Sequence, residues 1–444
     1  MTTFNEMTDK ELEALHEKFY EEFGEAKAAN LKLNMARGKP GKEQLEEVLP
    51  MLDVLSSSAD LHTKDNIDVT NYGCLAGILE ARELMGSLVG ASAEQVIVGG
   101  NSSLTLMYDC VSRGITSGFA GCTPWSKQKI KKQEEIIFLC PAPGYDRHFS
   151  ICEHFGIKMI PIPMHEYGPD MSMIEEYVTT NEMVKGIWCV PQYSNPQGYT
   201  YSDETVKRFA ALKPAAKDFR IFWDNAYCVH HLHEDVENQD NVLNILQECE
   251  AAGNADMVFE FCSTSKITFP GAGISAFISS KTNIKEALVS YGCQSISADK
   301  INQLRHVRFL KDKAGVLELM EKHAKHLRPR FELVLDILQK NAAELDGCSW
   351  THPKGGYFIS FQAPKRCAKN IVEFCKRAGV TLTAAGATFP YGQDPDNSNI
   401  RIAPSFPSLD ELKKAMEIFI LCTKLVKVKQ IIAERVRENT AFLG

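Results

Sequence analysis

One lysine in the sequence lies where a buried amine would be chemically useful. The segment "FCSTSKITFPGAGIS" (residues 261–275) leaves an apolar strand, turns through small hydroxyl residues to Lys266, and continues into a glycine-rich stretch. Because burial disfavours a charged amine, such a lysine either reaches solvent on its flexible stem or stays partly uncharged as a nucleophile. One lysine does not decide between these two interpretations, so the neighbouring segments must.

Three more polar groups follow predicted strands. Asp224 ends "FRIFWD", Tyr227 comes three residues later, and Asn195 begins the Asn-Pro-Gln-Gly turn after "GIWCV". Ligands of open α/β sheets bind beyond the carboxyl ends of the strands, which predicts that Asp224 and Lys266 approach one ligand. Taken alone, Asp224 is equally well a cap for the next turn, and Asn-Pro is an ordinary turn starter.

The segment "VIVGGNSSL" (96–104) has the pattern of an anion site. It runs from a strand through Gly-Gly to small hydroxyl residues at a helix start, where backbone N–H groups and the helix dipole attract phosphate. The simpler alternative is N-capping by Ser102 or Asn101. The segment is not a P-loop, and "RGKPGKEQ" (37–44) only imitates one, since Glu43 stands where Ser or Thr is required. No GxGxxG follows the first strand, which argues against a dinucleotide enzyme.

Seven short apolar segments are predicted as the strands of one α/β domain. They are residues 95–100, 135–140, 158–163, 186–190, 220–224, 257–263 and 274–280. Several are apolar on both faces, which indicates a mainly parallel seven-stranded sheet covered by helices. Residues 112–133, rich in Gly, Ser and Lys, interrupt this rhythm and are predicted as an inserted surface loop.

The chain is predicted to have three parts. Residues 1–69 form an N-terminal helix and arm that belong to a small domain, residues 70–305 a large α/β domain, and residues 306–444 a smaller α+β domain. Thr8 and Glu11 form a capping-box pattern at the start of an amphipathic N-terminal helix. After residue 305 we expect a long helix (about 310–342), an extended segment around "WTHPKGGYFISFQ" and two more helices.

Composition excludes several function classes. With 444 residues, 44% hydrophobic and 24% charged, the chain is typical of a soluble globular protein of two or three domains. A net charge of −8 argues against a nucleic-acid surface. No apolar run is long enough to span a membrane and the acidic N-terminus lacks a secretory signal, so we expect a cytoplasmic protein. The 14 cysteines contain no CxxC pair and are expected to be free thiols.

The segment "YCVHHLHED" (227–235) suggests a metal site at first sight. It contains Cys228, His230, His231 and His233. His231 and His233 would share one face of an extended segment, but no partner ligands follow at a useful spacing. No metal is therefore predicted, and these side chains are interpreted as surface histidines or as a loop beside the site.

Taken together, these motifs resemble the fold-type-I pyridoxal phosphate aminotransferases over nearly the whole chain. The resemblance depends on their order: Gly-Gly-hydroxyl helix start, Asn-Pro-x-Gly, Asp-x-x-Tyr, and a lysine with Ser three residues before it. The segments "LNMARGKPGKEQL", "TPW", "CPAPGYDRHF" and "STSKITFPGAG" are most similar to the type Ic aspartate aminotransferases.

The resemblance implies pyridoxal 5′-phosphate as the cofactor. Lys266 matches the lysine that holds it as a Schiff base, and Asp224 the carboxylate that keeps the pyridine nitrogen protonated. Tyr227 and Asn195 match the donors to its phenolate oxygen, and Tyr145 matches the aromatic side chain that stacks on the ring. The matching phosphate contacts are Ser102, Ser103, Ser263 and, from the neighbouring subunit of a homodimer, Tyr72. For Tyr145 and Tyr72 the alternative is packing in the core.

The substrate side of the resemblance rests on arginines. Arg401 in "NIRIAPSF" matches the arginine that holds the substrate α-carboxylate, while Asn195 and Gly38 lie near the substrate. For a second carboxylate the candidates are Arg37 and Arg305, and an ordinary surface or hinge arginine is the alternative for each. Where many relatives have a phosphate-binding arginine after the lysine, this chain reads "PGAGIS".

The function implied is that of a homodimeric transaminase. It would move an amino group from an amino acid, with aspartate the best donor, to 2-oxoglutarate in a ping-pong mechanism, and small molecules would be its only other partners. A lyase or decarboxylase of the same fold would share every cofactor residue, and would be identified by release of ammonia or CO2 without an oxo-acid acceptor. The ligand-sensing module of a pyridoxal-phosphate-dependent transcription regulator is a further alternative, but no basic DNA-binding module precedes the large domain.

Overall fold

A computed structural model of the chain describes residues 3–442. Residues 1–2 and 443–444, the outer ends of the first and last predicted domains, lie outside the described residues. The first helix, α1 (Asp9–Ala28), begins at the predicted capping box: the Glu11 carboxylate accepts a hydrogen bond from the Thr8 N–H at 2.8 Å. The helix buries Leu12, Phe19 and Phe23, which confirms its amphipathic character.

The large sheet contains the seven predicted strands and one more. Its strands are β2 (Val96–Gly99), β3 (Ile137–Ala142), β4 (Lys158–His165), β5 (Gly168–Pro169), β6 (Val184–Cys189), β7 (Arg220–Asp224), β8 (Val258–Ser263) and β9 (Ser275–Ile278). Their order is β2-β9-β8-β7-β6-β3-β4-β5. Strands β4, β3, β6, β7 and β8 are parallel, which confirms the predicted mainly parallel α/β sheet; the two-residue strand β5 adds an eighth strand at one edge.

Helices cover both faces of this sheet. They are α3 (Leu79–Val89), α4 (Ser103–Thr116), α5 (Trp125–Lys132), α6 (Asp146–His154), α7 (Met171–Thr180), α8 (Asp203–Ala210), α9 (Ile245–Ala251), α10 (Lys281–Gln294) and α11 (Lys300–Leu310). Strands β6, β7 and β8 are buried along their whole lengths, as their continuous apolar sequences require.

The prediction of a surface loop at residues 112–133 is wrong. Helix α4 continues to Thr116, and α5 occupies residues 125–132. Trp125 is fully buried, and its indole N–H donates to the Asp218 carboxylate at 3.0 Å. The Phe119 ring packs edge-on against Trp125. These two aromatic anchors hold the segment in the core, while its many lysines lie on the exposed face of α5 and produce the loop-like composition.

The rest of the chain forms two small sheets and five helices. Strands β10 (Ser349–Trp350), β11 (Ile359–Gln362) and β13 (Asn399–Ile402) are antiparallel, and β1 (Leu33–Asn34) pairs in parallel with β12 (Val380–Thr381). Besides α1, the helices are α2 (Lys42–Glu46), α12 (Lys313–Lys340), α13 (Ala368–Arg377) and α14 (Leu409–Phe442). The predicted long helix and the two later helices are confirmed.

The buried apolar side chains form two hydrophobic cores. The first contains residues between Val48 and Met320 on the large sheet and its helices. The second joins α1 to the segments from Leu327 onward. Helix α12 takes part in both, because the change falls between Met320 and Leu327. The domain boundaries at residues 69 and 305 stay a prediction. Within residues 3–442, every helix is too short or too polar to span a lipid bilayer.

Candidate active site

The carboxyl edge of the large sheet places an acid and a lysine beside each other. Asp224, the last residue of β7, pairs in register with Phe261 of the parallel strand β8, and β8 leads through Ser263 to the turn that carries Lys266. Because parallel strands end at one edge of a sheet, the two side chains face the same cleft. The acid and the amine predicted from the sequence therefore meet at one site.

The Asp224 carboxylate has one oxygen paired and one free. It is 3% exposed, and its Oδ2 lies 2.9 Å from His148 Nε2. Among the described residues, nothing hydrogen-bonds to its Oδ1, although this atom is also buried. An unpaired buried acceptor is costly, so this oxygen is suited to a ligand that brings a hydrogen-bond donor.

Sequence reasoning missed His148. It is fully buried in α6, where its ring stacks on Trp188 at 4.5 Å with an interplanar angle of 10°, and Tyr145 packs edge-on against it. The stacking and the bond to Asp224 fix the orientation of both side chains. A histidine three residues after Tyr145 was the available signal, but nothing in the linear pattern relates it to an acid 76 residues away.

The Lys266 amine lies 4.9 Å from the centre of the Tyr227 ring. Removal from water lowers the pKa of this amine, while the nearby Asp224 carboxylate acts in the opposite direction. Burial also raises the pKa of the Tyr227 hydroxyl well above its usual range, so that group remains a proton donor at neutral pH. The surroundings thus favour an amine that gives up its proton more readily than a surface lysine.

Arg401 lies at the other end of the cleft on β13. Its Nη1 donates to Asn195 Oδ1 at 3.1 Å and to Asp146 Oδ1 at 3.2 Å, and its Nη2 donates to Thr383 Oγ1 at 3.0 Å. The guanidinium lies over the Phe358 ring at 4.7 Å. This buried planar fork is well oriented for a carboxylate, which would share it with Asp146 or displace that side chain.

Gly38 is required for close packing beside Arg401. A Cβ atom at this position would lie 2.5 Å from the Phe358 ring, nearer than side-chain atoms approach each other. Any larger residue would have to displace the Phe358 ring, over which the Arg401 guanidinium lies. The role of Gly38 near the substrate stays a prediction.

The start of α4 lies on the wall of the cleft, where an anion site was predicted. Ser102 caps the helix, accepting from the Leu104 N–H at 3.2 Å, and Ser103 follows as the first helical residue. Ser263 donates to Ser265 Oγ at 3.1 Å, and Ser265 donates in turn to the Asn101 carbonyl at 2.6 Å. The helix terminus and the hydroxyl groups thus surround one position suited to a phosphate.

Most of the predicted site residues line one cavity of about 620 Å³. These lining residues are Lys266, Asp224, Tyr227, Tyr145, Asn195, Ser102, Ser103, Ser263, Arg401, Arg37 and Gly38. Two further cations of the lining, Lys39 and Arg147, were not predicted. Tyr145 lines this cavity and also packs, partly buried, against the second hydrophobic core, so it fits both of its interpretations.

Two predicted residues lie outside this cavity. Tyr72 is 80% exposed, so its alternative of core packing is wrong, and within one chain it does not reach the cleft. Arg305 is turned away: its Nη2 donates to Asn302 Oδ1 at 2.5 Å. Among the described residues, no group of His, Cys, Asp or Glu side chains is arranged to hold a metal ion.

Solved structures share this architecture. The crystal structure of an aspartate transaminase from Corynebacterium glutamicum superposes with a TM-score of 0.91 at 42% identity, covering 96% of this chain and 99% of that one. An α-aminoadipate aminotransferase from Thermus thermophilus, solved with N-(5′-phosphopyridoxyl)-L-leucine, has a TM-score of 0.70 at 18% identity and covers 90% and 93% of the two chains. The fold is therefore that of the fold-type-I aminotransferases.

Sequence comparison narrows this class to one family. The family model described as aspartate amino-transferase matches residues 7–435. The aspartate aminotransferase of C. glutamicum is 44% identical over 411 residues, which are 92% of this chain and 93% of the relative. The chain belongs to the aspartate aminotransferase family. This membership confirms the predicted enzyme class, an aminotransferase.

Proposed function

We propose that this aminotransferase transfers the amino group of L-aspartate to 2-oxoglutarate, with pyridoxal 5′-phosphate as cofactor and a ping-pong order of substrates. The observation that carries the proposal is that one cleft is lined by Lys266, by Asp224 with its unpaired Oδ1, and by Arg401. Together, a dicarboxylic amino acid and a ring with a protonated nitrogen would offer a binding partner to each of these three groups.

The residues of the cleft fit pyridoxal phosphate. The orphaned Asp224 Oδ1 suits the N–H of a pyridinium ring, and the N-terminus of α4 with Ser102 and Ser103 suits a phosphate. The Lys266 amine stands on the wall of the same cavity, where it would attach the cofactor covalently. When bound, pyridoxal phosphate supplies an electron sink for the bonds to the substrate Cα.

The chain's own side chains divide the remaining work. Arg401 binds the substrate α-carboxylate and fixes the direction of the Cα–H bond. Lys266 takes that proton and returns one, a role helped by the burial that lowers the pKa of its amine. Asp224, held by His148, would present its free Oδ1 to the ring nitrogen of the cofactor. Phe358 and Tyr145 lie on the cavity wall and limit the access of water.

Arg37 is the best placed of the candidate residues for the second carboxylate of aspartate. It lines the cleft, whereas Arg305 does not, and it follows Ala36, whose carbonyl accepts from Arg401 Nη2 at 3.5 Å. The two carboxylates of aspartate are separated by only two carbons, so their cations must be close together. Lys39 is less free, because its Nζ lies 3.8 Å from the centre of the Phe406 ring.

A homodimer is part of this proposal, motivated by the exposure of Tyr72. The loop that carries this side chain is anchored to the rest of the protein, because the buried Lys300 ammonium donates to the carbonyl oxygens of Asn71 and Gly73. A large, well-anchored and exposed aromatic residue is typical of a contact surface. In a dimer, Tyr72 would reach the phosphate end of the partner subunit's cleft. The cytoplasmic location and the three-domain division remain predictions.

The decisive test measures transamination by the purified holoenzyme. A panel of amino donors is offered with 2-oxoglutarate, and glutamate formation is followed; aspartate should be the fastest donor. Borohydride should fix the cofactor to Lys266 in the peptide containing "STSKITF". Release of ammonia or CO2 without 2-oxoglutarate would instead identify a lyase or decarboxylase, and a label on another lysine would refute the site assignment.

A further inference from the structure

The segment around Lys266, here called the lysine loop (residues 264–274), is closed on itself by Thr264. The Thr264 carbonyl accepts from the Thr268 N–H at 2.7 Å, so the lysine lies at the middle of a tight turn. Thr264 is also paired with Ile274 in both directions. Its N–H donates to the Ile274 carbonyl at 2.8 Å, and its hydroxyl oxygen accepts from the Ile274 N–H at 2.9 Å. The main chain on both sides of the lysine therefore depends on one threonine.

A buried histidine from another helix holds this threonine and a second one. His306 of α11 is fully buried, and its Nε2 lies 2.9 Å from Thr268 Oγ1 and 3.1 Å from Thr264 Oγ1. The two hydroxyl groups are themselves joined at 3.0 Å, with Thr268 as the donor. One threonine stands two residues before Lys266 and the other two residues after it. The imidazole thus contacts both ends of the turn that carries the lysine.

The hydrogen bonds of the ring determine which nitrogen accepts. His306 Nδ1 lies 2.7 Å from the Asn302 carbonyl oxygen, one turn earlier in α11. Because a carbonyl oxygen only accepts, the proton is on Nδ1, and Nε2 of the neutral ring is the acceptor that the two threonine hydroxyl groups share. Burial lowers the pKa of His306 to about 4, which keeps the ring neutral at pH 7. An apolar side chain at this position would fill the space but remove the acceptor.

Helix α11 also holds the far limb of the lysine loop. Asn302 Nδ2 donates to the carbonyl oxygens of Gly273 at 2.9 Å and Ala272 at 3.1 Å. A Cβ atom at Gly273 would lie 2.9 Å from Thr264 Oγ1, so a larger residue there would displace the hydroxyl group that His306 holds. Asn302 and His306 are four residues apart, on one face of the helix. That face therefore anchors both limbs of the loop.

We propose that His306 is a positioning residue for Lys266, acting through the two threonines. His306, Thr264 and Thr268 do not line the active-site cavity, whereas Lys266 does. The group therefore acts from behind the cleft, without contact to substrate or cofactor, and sets the direction from which the amine enters. That direction decides how the amine meets the substrate proton. The inference rests on the proposed role of Lys266.

The first test compares variants of His306 in the holoenzyme. His306→Leu removes the shared acceptor, and a misdirected lysine should lower kcat about ten- to a hundred-fold. KM for aspartate should change less than about twofold, because Arg401 is untouched. His306→Gln places an amide oxygen that accepts from the same hydroxyl groups, and it should keep kcat within about threefold of the unaltered protein.

A second test keeps the side-chain volume nearly constant, in case His306→Leu does not fold. Thr268→Val removes one of the two hydroxyl groups and should lower kcat about three- to tenfold. The matched control is Thr423→Val in α14. Thr423 is also fully buried, and its hydroxyl donates to the carbonyl of Phe419, four residues earlier, at 2.8 Å. The Thr268 hydroxyl has the same relation to the Thr264 carbonyl at 3.2 Å. The control should leave kcat unchanged.

A third measurement does not depend on turnover. Hydrogen–deuterium exchange of the peptide spanning residues 261–275, read by mass spectrometry with and without bound cofactor, reports the protection of the Thr268 and Ile274 N–H groups. His306→Leu should speed exchange in this peptide about tenfold and leave peptides of α14 unchanged. His306→Gln should retain the protection.

The outcomes separate this inference from the proposed function. Unchanged kcat and unchanged exchange in a folded His306→Leu protein would overturn the inference while leaving Lys266 as the catalytic lysine. Equal losses in the leucine and glutamine variants would also overturn it, because the acceptor would then be irrelevant. So would equal losses in Thr268→Val and Thr423→Val. A borohydride label on another lysine would instead refute the proposed function itself.

Discussion

Replacing Asp224 by alanine should strongly weaken binding of the cofactor in a protein that still folds. The substitution removes the buried Oδ1 that is free for a pyridinium N–H, and it leaves His148 Nε2 without its partner at 2.9 Å. A hydrogen bond between charged groups at a buried site contributes up to about 3 kcal/mol, which corresponds to roughly a hundred-fold in affinity for pyridoxal phosphate. The unpaired His148 should cost about 1–3 kcal/mol of the free energy of unfolding.

The assay titrates the apoprotein with pyridoxal phosphate by absorbance and then follows oxaloacetate formation from aspartate. Turnover of Asp224→Ala should fall further than affinity, because an unprotonated ring is a poor electron sink. Asp224→Glu should keep more activity. The matched control is Glu260→Gln: this buried carboxyl on β8 accepts from Asn225 Nδ2 at 3.0 Å and does not line the cleft. Its loss should affect stability but not cofactor affinity.

Either of two results would refute this reasoning directly. If folded Asp224→Ala binds pyridoxal phosphate as tightly as the unaltered protein and turns over aspartate at the same rate, Asp224 has no part in the mechanism. If Glu260→Gln lowers cofactor affinity as much as Asp224→Ala does, the effect reflects loss of any buried carboxyl on the sheet.

Three further predictions concern substrate, assembly and acid stability. Arg37→Ala should lower aspartate turnover about a hundred-fold but leave alanine turnover nearly unchanged, since it removes a charge-assisted pair of roughly 3 kcal/mol; equal losses for both donors would contradict its role. Light scattering should show a dimer at assay concentration, and a fully active monomer would contradict the role of Tyr72. Burial lowers the pKa of His306 to about 4 from 6.5, so the unfolded chain binds the extra proton. Stability is therefore kept above pH 6.5 and lost as the pH falls towards 4, by up to about 3 kcal/mol in urea unfolding, and His306→Gln should reduce that loss.

Much of the sheet and the cleft could be predicted because parallel sheets bring strand ends together. Once Asp224, Asn195 and Lys266 were recognised as following buried strands, their meeting at one edge needed no knowledge of loops. Pattern alone also located the start of α1, since a capping box is a local signal. In each of these cases, the residues that allow the prediction lie within a few positions of the predicted strand end or helix start.

What the sequence did not reveal depends on contacts between distant segments. The pairing of His148 with Asp224 joins residues 76 positions apart. The packing of Trp125 depends on Asp218, and without that partner the surrounding lysines and glycines suggested a loop. Composition indicates how polar a segment is, but not what its few apolar or aromatic residues touch.

Helix α12 connects the two hydrophobic cores mechanically. Because one end of this helix is built into the first hydrophobic core and the other end into the second, the two cores cannot rotate against each other without bending it. Its interior contains Pro329, which has no N–H to give the carbonyl of Lys325, so the rod is weakest there. Any rotation of one core against the other would therefore bend the chain near Pro329, between the two cores, and not at the cleft wall.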